Sequence, residues 1–183
     1  MKFKTTSSVV IRILLWAVML IGGVVGGIYC DLVCFESYRK LFLNPLYHLL
    51  TFVAGYLLMT RAFRAAAAGG KELARHGKEG DVPRLETNRL VTSGIYAHMR
   101  HPMLFGLMLV PLALGLMVGS PTFITIIAPV EMLFIVVMIL TLEERECRKK
   151  FGSDYDAYAR KVPAVCLSPH CLRLLFSRKR EER

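Results

Sequence analysis

Four long apolar stretches, separated by polar and basic segments, dominate the pattern of the chain. They lie near residues 9–29, 41–63, 103–118 and 122–142. The hydrocarbon layer of a bilayer is about 30 Å thick, so a helix of about 20 apolar residues crosses it. Backbone groups in lipid must be satisfied within their own segment, which favours helices over strands. The pattern therefore predicts an all-α integral membrane protein with about four transmembrane helices in a single membrane domain over residues 1–183.

Polar and glycine-containing segments connect the four stretches. Gly119-Ser120-Pro121 separates the last two, and three residues allow only an antiparallel helical hairpin. The connection over residues 64–102 is polar, and its glycines, including Gly69-Gly70, predict several short pieces rather than one long helix. Residues 143–183 are expected to form a tail of short helices, which Gly152 interrupts.

The distribution of charge predicts how the chain crosses the membrane. Lysine and arginine number 24 against 14 acidic residues, a net charge of +10. With four crossings, the N-terminus, the loop 64–102 and the tail share one side, and every basic residue except Arg39 and Lys40 lies there or at its boundary. The positive-inside rule makes this side cytoplasmic, so both termini of this multi-pass protein are expected there. The charge then reflects topology and attraction to membrane lipids, and no nucleic-acid partner is expected.

Several common cofactor and metal motifs do not occur in the sequence. Gly70-Lys71 resembles the end of a phosphate-binding loop, but the loop's first glycine and its final serine or threonine are missing, and no GxGxxG is present. Cys166, His170 and Cys171 suggest zinc, but their spacing is not that of a zinc site. No metal is therefore expected.

The end of the first apolar stretch carries small residues and thiols. Gly22-Gly23 and Gly26-Gly27 predict close helix packing, within the protein or between copies. A disulfide between Cys30 and Cys34 stays open, since it depends on an oxidising compartment.

Two ionisable residues lie inside apolar stretches. Glu131 is near the middle of the fourth stretch and His48 is in the second. An ionised group at mid-membrane is costly, so such a residue faces the protein interior and suggests a functional site. His48 is the natural partner of Glu131, and the pair serves either helix packing or a substrate. If the reaction needs a general base, these two residues are the candidates.

The strongest chemical pattern flanks the last hairpin. Before it stands the stretch 90–102, LVTSGIYAHMRHP, and after it stands Glu143-Glu144. A tight hairpin returns its second helix beside its first, so Arg100 and His101 are expected beside the two glutamates. Such a cluster suits a small zwitterion that carries an ammonium, a carboxylate and a sugar. An ordinary helix end with structural ion pairs is the alternative.

Helical spacing distinguishes the two glutamates. Glu144 has Arg148 four residues later, which is a favourable helix pair, whereas Glu143 has Cys147 at that position. Glu143 is therefore expected to face solvent or to be reserved for Arg100, His101 or a ligand.

The same residues closely resemble the isoprenylcysteine carboxyl methyltransferase family, whose wider superfamily includes phospholipid methyltransferases. The resemblance covers residues 90–163 and rests on LVTSGIYAHMRHP, the hairpin, Glu143-Glu144, the stretch FGSDYDAY at 151–158 and Val162-Pro163, in that order. Members of this family are integral membrane enzymes. They hold S-adenosylmethionine in a cytoplasm-facing pocket formed by the last two helices and the segment after them.

The resemblance implies a cofactor site in this chain. By that likeness, Arg100 or His101 would meet the cofactor's carboxylate, a glutamate would bind its ammonium or ribose hydroxyls, and Tyr96 would stack on adenine or face the sulfonium. The residues expected at the site are Leu90, Val91, Tyr96, Arg100, His101, Pro102, Met103, Leu104, Glu143 and Glu144.

Two positions depart from the family pattern. Leu104 stands where the family has a tyrosine, although Phe105 follows and offers an aromatic ring. Enzymes acting on prenylated cysteine carry an arginine about one turn before the glutamates, where this chain has Met138-Ile139-Leu140. The second departure weakens the case for a prenylcysteine carboxylate and leaves methyl transfer intact.

The sequence therefore predicts an S-adenosylmethionine-dependent methyltransferase. Its acceptor is expected to be lipophilic or small and membrane-accessible, an isoprenylcysteine carboxylate, a lipid amine or a thiol, and to enter from the bilayer. Two alternatives stay open: a nicotinamide-dependent membrane reductase of the related sterol reductase type, and a non-catalytic membrane scaffold.

Overall fold

The computed structural model describes residues 2–81 and 87–176, and within these ranges it contains helices and no strand. This confirms the all-α prediction. Residues 177–183 of the predicted tail lie outside the described residues. The helices are α1 (Lys2–Val33), α2 (Glu36–Phe42), α3 (Pro45–His76), α4 (Pro102–Met108), α5 (Val110–Val118), α6 (Ala128–Met138), α7 (Glu144–Ala159) and α8 (Pro169–Phe176); a 3-10 turn spans Gly94–Ala97, and π-helical segments span Phe123–Ile127 and Ile139–Glu143.

Three of these helical runs are long and apolar enough to cross a membrane. They are Leu14–Val33, Pro45–His76 and Phe123–Ala159, and Pro102–Val118 is a shorter apolar helix. Large apolar side chains stand exposed along them, among them Val18 at 68% and Leu133 at 63%. Apolar surface on this scale needs a non-aqueous environment. The chain is therefore an integral membrane protein, as the apolar pattern predicts.

The predicted break of the chain at Gly69-Gly70 was wrong. Helix α3 continues through Gly69-Gly70 to His76, so the connection 64–102 begins with three turns of helix rather than short pieces. A helical glycine costs only about 1 kcal/mol relative to alanine, and the alanines at 65–68 offset part of that cost. The fourth apolar stretch also continues as helix into α7, where Gly152, with φ 57° and ψ −134°, makes the predicted interruption as a kink.

The chain packs as two compact units. The first comprises Met1–Leu58 and Pro111–Leu133, and the second comprises Met59–Val110 and Phe134–Arg183. The single membrane domain stays a prediction.

In the first unit, α1 packs closely against the start of the last apolar helix. A Cβ at Gly23 would lie 2.5 Å from the Phe123 ring, and one at Gly27 would lie 2.8 Å from Ser120 Oγ. A Cβ at Gly22 or Gly26 would meet nothing. The predicted small-residue packing therefore occurs within the protein, through one glycine of each pair.

A buried carboxylate holds the hairpin turn of this unit. Asp31 is fully buried and accepts hydrogen bonds from the Thr122 backbone N–H at 2.9 Å and from the Ser120 hydroxyl. Gly119 turns the chain at φ 69°, a conformation that glycine adopts without steric cost. The predicted tight hairpin is present, and the role of Asp31 was missed because it lies just outside the apolar stretch.

In the second unit, small residues let α3 and α4 approach at backbone distance. A Cβ at Gly106 would lie 2.5 Å from the Ala66 backbone nitrogen, and one at Gly69 would lie 2.8 Å from the Met103 backbone nitrogen. Ala62 and Ala65 are fully buried. Helix α4 therefore packs against the run of alanines and glycines in α3.

The described cysteines form a disulfide at a pair that the sequence analysis did not consider for one. Cys166 and Cys171 form a disulfide, which uses both thiols that a zinc site there would need. Cys30 and Cys34 carry free thiols, as does Cys147.

Candidate functional site

The segment between α3 and α4 is fixed by contacts on both sides. Tyr96, in the 3-10 turn, is buried, and its backbone carbonyl accepts a 2.5 Å hydrogen bond from the Tyr158 hydroxyl of α7. The Ser93 hydroxyl donates to Glu72 Oε1 at 3.1 Å. Gly94 has φ 58°, and a Cβ there would lie 2.5 Å from the same carboxylate oxygen. The LVTSGIY segment is therefore held between α3 and α7.

A cavity of about 260 Å³ lies where this segment, α3, α4 and α7 meet. Its walls are mostly apolar and aromatic, with a few charged groups. The lining residues are Leu73, Thr87, Arg89, Leu90, Val91, Tyr96, Arg100, His101, Met103, Leu104, Glu143, Cys147, Phe151, Tyr155 and Tyr158.

Eight of the ten residues expected at the cofactor site line this cavity, and Pro102 and Glu144 do not. Pro102 is the first residue of α4, where its missing N–H costs nothing, and it is buried. The eight are Leu90, Val91, Tyr96, Arg100, His101, Met103, Leu104 and Glu143. The structure thus brings most of the predicted site together, and their binding of a cofactor stays a prediction.

Glu144 is the carboxylate on which the cations converge. Its Oε1 accepts from Arg100 Nε at 3.0 Å, from His101 Nε2 at 2.8 Å and from the Tyr155 hydroxyl at 2.9 Å, and Arg100 Nη2 forms an ion pair with the same oxygen at 2.9 Å. Glu144 is only 5% exposed. A carboxylate can only accept, so His101 carries its proton on Nε2. Of the alternatives left open for Glu143, the structure places this residue in the cavity lining, whereas Arg100 and His101 contact Glu144. These tertiary contacts of Glu144 are shorter than its helix pair with Arg148, which is 3.9 Å long.

Arg100 is largely satisfied by protein groups. Its Nη1 donates to the backbone carbonyl of Ala159 at 2.9 Å and to that of Val162. With the Nε bond to Glu144, three of the five guanidinium N–H groups have hydrogen-bond partners, and Nη2 lies 2.9 Å from the same carboxylate oxygen. Arg100 therefore joins α7 and the segment after it, and most of its hydrogen-bonding capacity is used within the protein.

The backbone around Arg100 is fixed by the same segment. The Arg100 N–H donates to Pro163 O at 3.0 Å, and the His101 N–H donates to Ala164 O at 3.1 Å. The segment that contains the Val162-Pro163 motif thus fixes the backbone of Arg100 and His101.

The cavity contains residues that sequence reasoning did not place there. Arg89 supplies a cation immediately before the LVTSGIY motif. Phe151, Tyr155 and Tyr158 supply aromatic rings from α7, and their helical spacing on one face was a signal that could have found them. Phe105, by contrast, is 2% exposed in the core and does not line the cavity, so it does not replace the family tyrosine missing at Leu104.

Burial raises the pKa of Tyr96, and the neighbouring Tyr158 hydroxyl raises it further. Tyr96 is therefore neutral at physiological pH and presents an uncharged ring to the cavity. A neutral aromatic face is suited to stacking on a base or to contact with a cation.

The two candidate bases, Glu131 and His48, belong to the first unit. Glu131 is 6% exposed beside Gly23, and its Oε2 has no hydrogen-bond partner among the described residues. His48 contacts the backbone carbonyl of Phe42 through Nε2. The prediction that His48 pairs with Glu131 was wrong, because no hydrogen bond or ion pair joins these two described residues. A catalytic role for either residue stays a prediction.

The chain matches a known protein family. A family model described as phospholipid methyltransferase matches residues 50–154, which is more than half of the chain. The matched range contains most of α3, the LVTSGIYAHMRHP stretch, the hairpin and both glutamates. None of the curated proteins and none of the solved structures matches the chain significantly.

Proposed function

The chain belongs to the phospholipid methyltransferase family, a membrane methyltransferase family, and on that premise we propose that it uses S-adenosylmethionine to methylate a lipophilic or small membrane-accessible acceptor. The observation that carries the proposal is the cavity of the second unit, which gathers eight of the ten expected cofactor residues. Family membership also favours a methyltransferase over a nicotinamide-dependent reductase.

The residues of the cavity fit the cofactor's chemistry. Glu143 offers a carboxylate for the ammonium or the ribose hydroxyls, and Arg89 offers a cation for the carboxylate. Tyr96 and Phe151 offer aromatic faces for adenine. A zwitterion with a planar base therefore meets a complementary group for each of its parts.

Bound S-adenosylmethionine supplies an electrophilic methyl group carried on its sulfonium. The protein's own contribution is alignment and a dry environment, because binding in a fixed geometry removes much of the entropic cost of bringing two reactants together. Leu73, Leu90 and Val91 provide apolar walls that exclude water and strengthen the electrostatic contacts of Glu143 and Arg89. Glu144 does not line the cavity, and its hydrogen bonds hold two lining residues, Arg100 and His101, in place.

A lipid amine is the acceptor that the residues favour. No cation stands at Met138-Ile139-Leu140 to receive a substrate carboxylate, and Ile139 is fully buried. The family description, phospholipid methyltransferase, points to the same class. We further propose that the site faces the cytoplasm, because nearly all basic residues lie on its side of the predicted topology.

Calorimetry on the purified full chain in detergent tests this proposal. Wild type is expected to bind S-adenosylmethionine and not NADPH. Glu143→Gln should weaken S-adenosylmethionine binding by about tenfold, since it removes one charge-assisted contact.

Glu146→Gln is the matched control, because Glu146 is an exposed glutamate on the same helix and lies outside the cavity lining. Its affinity should stay within about twofold of wild type. A protein that binds neither cofactor contradicts the proposed function. Unchanged binding in Glu143→Gln contradicts the site assignment.

A further inference from the structure

The second unit contains another cavity, of about 450 Å³, which the proposed function does not use. Its lining residues are Arg100, Arg148, Ser153, Asp156, Ala159 and Arg160. Only Arg100 also lines the cofactor cavity. We call this second cavity the arginine groove.

The kink of α7 creates the arginine groove. Gly152, at φ 57° and ψ −134°, redirects the helix between Arg148 and Ser153. Arg148 before the kink and Ser153, Asp156 and Arg160 after it therefore border one groove instead of following one straight helix. The glycine conformation is thus a geometric requirement of the groove.

The groove has an excess of positive charge. It contains three guanidinium groups and one carboxylate, and the Arg100 charge is already paired with Glu144. Arg148 Nε lies 3.4 Å from Asp156 Oδ1, with both side chains more than half exposed. An exposed pair of this kind contributes little, about 0–1 kcal/mol, so a stronger anion can replace it. Arg160 adds a second exposed cation.

The chemistry of the groove matches a phosphate group. Guanidinium groups donate paired N–H bonds to two oxygens of a phosphate, and the Ser153 hydroxyl can donate to a third. Arg148 lies six residues beyond Leu142, the end of the predicted fourth span, which is about 9 Å along a helix. The headgroup layer extends about 5–7 Å beyond the hydrocarbon on each side, so Arg148 lies near its outer edge, and the long arginine side chain can reach the lipid phosphates.

We propose that the arginine groove binds a phosphate group through Arg148, Arg160 and Ser153. The phosphate comes from an anionic lipid headgroup or from soluble phosphate, and both present the same oxygens. This site is separate from the proposed cofactor cavity and does not depend on the methyltransferase assignment.

Titration of the detergent-solubilised full chain with a short-chain phosphatidic acid, short-chain phosphatidylcholine and inorganic phosphate tests the proposal. Arg148→Gln/Arg160→Gln should weaken phosphatidic acid binding by at least about tenfold. Arg145→Gln/Lys149→Gln is the matched control, since it also removes two positive charges, from exposed positions of the same helix that lie outside the groove. It should change the affinity by less than about twofold. Ser153→Ala gives a milder variant that keeps every charge.

The three ligands distinguish the source of the phosphate. Binding of phosphatidic acid without binding of inorganic phosphate supports a lipid headgroup, and binding of both with the same dependence on Arg148 and Arg160 supports soluble phosphate. Equal weakening by the two double variants shows non-specific attraction and overturns the proposal. Absence of binding by wild type, or no loss in Arg148→Gln/Arg160→Gln, overturns it as well.

Discussion

Two adjacent glutamates perform different tasks in this protein. Glu144 is buried, and its Oε1 accepts hydrogen bonds from Arg100, His101 and Tyr155, whereas Glu143 lines the 260 Å³ cavity, where the cofactor is proposed to bind. Sequence reasoning predicted that the cations and the glutamates converge, because a tight hairpin forces it. It could not predict which glutamate the cations contact. Helix spacing indicates only neighbours on the same helix, whereas Arg100 lies 44 residues from Glu144 in sequence.

Glu144→Gln should destabilise the second unit. A neutral amide leaves the buried Arg100 without a counter-charge, and breaking a buried ion pair costs about 3–5 kcal/mol. The thermal unfolding midpoint of the purified protein is expected to fall well below that of wild type, while Glu146→Gln leaves it nearly unchanged. An unaltered midpoint for Glu144→Gln would show that the cluster does not stabilise the unit.

At the level of elements, helix type and the hairpin were predictable, and helix ends were not. The glycines at 69 and 70 predicted a break, yet α3 passes through both of them. Gly69 faces the Met103 backbone of α4, whereas a Cβ at Gly70 would meet nothing. A glycine placed for close helix packing and a glycine that ends a helix look the same in a sequence, and only the neighbouring element distinguishes them.

This pair of glycines provides an internally controlled prediction. Gly69→Ala should destabilise the protein by about 1–3 kcal/mol, because its Cβ would lie 2.8 Å from the Met103 backbone nitrogen. Gly70→Ala should be neutral or stabilising by up to about 1 kcal/mol, because alanine is the better helix former and the space is open. Unfolding midpoints in one detergent measure both. Equal effects of the two substitutions would contradict the α3–α4 packing described above.

At the scale of the whole molecule, the apolar pattern predicted the integral membrane character and the all-α class. It did not predict that the chain packs as two compact units, because the order of apolar stretches carries no information about which parts share a core. The net charge of +10 supports the proposed orientation through the positions of the basic residues. The pattern of apolar stretches likewise did not predict that Asp31 holds the hairpin turn.

Methyl transfer itself is the most direct test of the central claim. Purified full chain incubated with methyl-labelled S-adenosylmethionine and a native lipid extract is expected to place label in the lipid fraction. Glu143→Gln should lower that rate by about tenfold or more, while Glu146→Gln should retain it. If wild type binds the cofactor but no label enters the lipid fraction, this result would contradict the proposal that this membrane protein is a lipid methyltransferase.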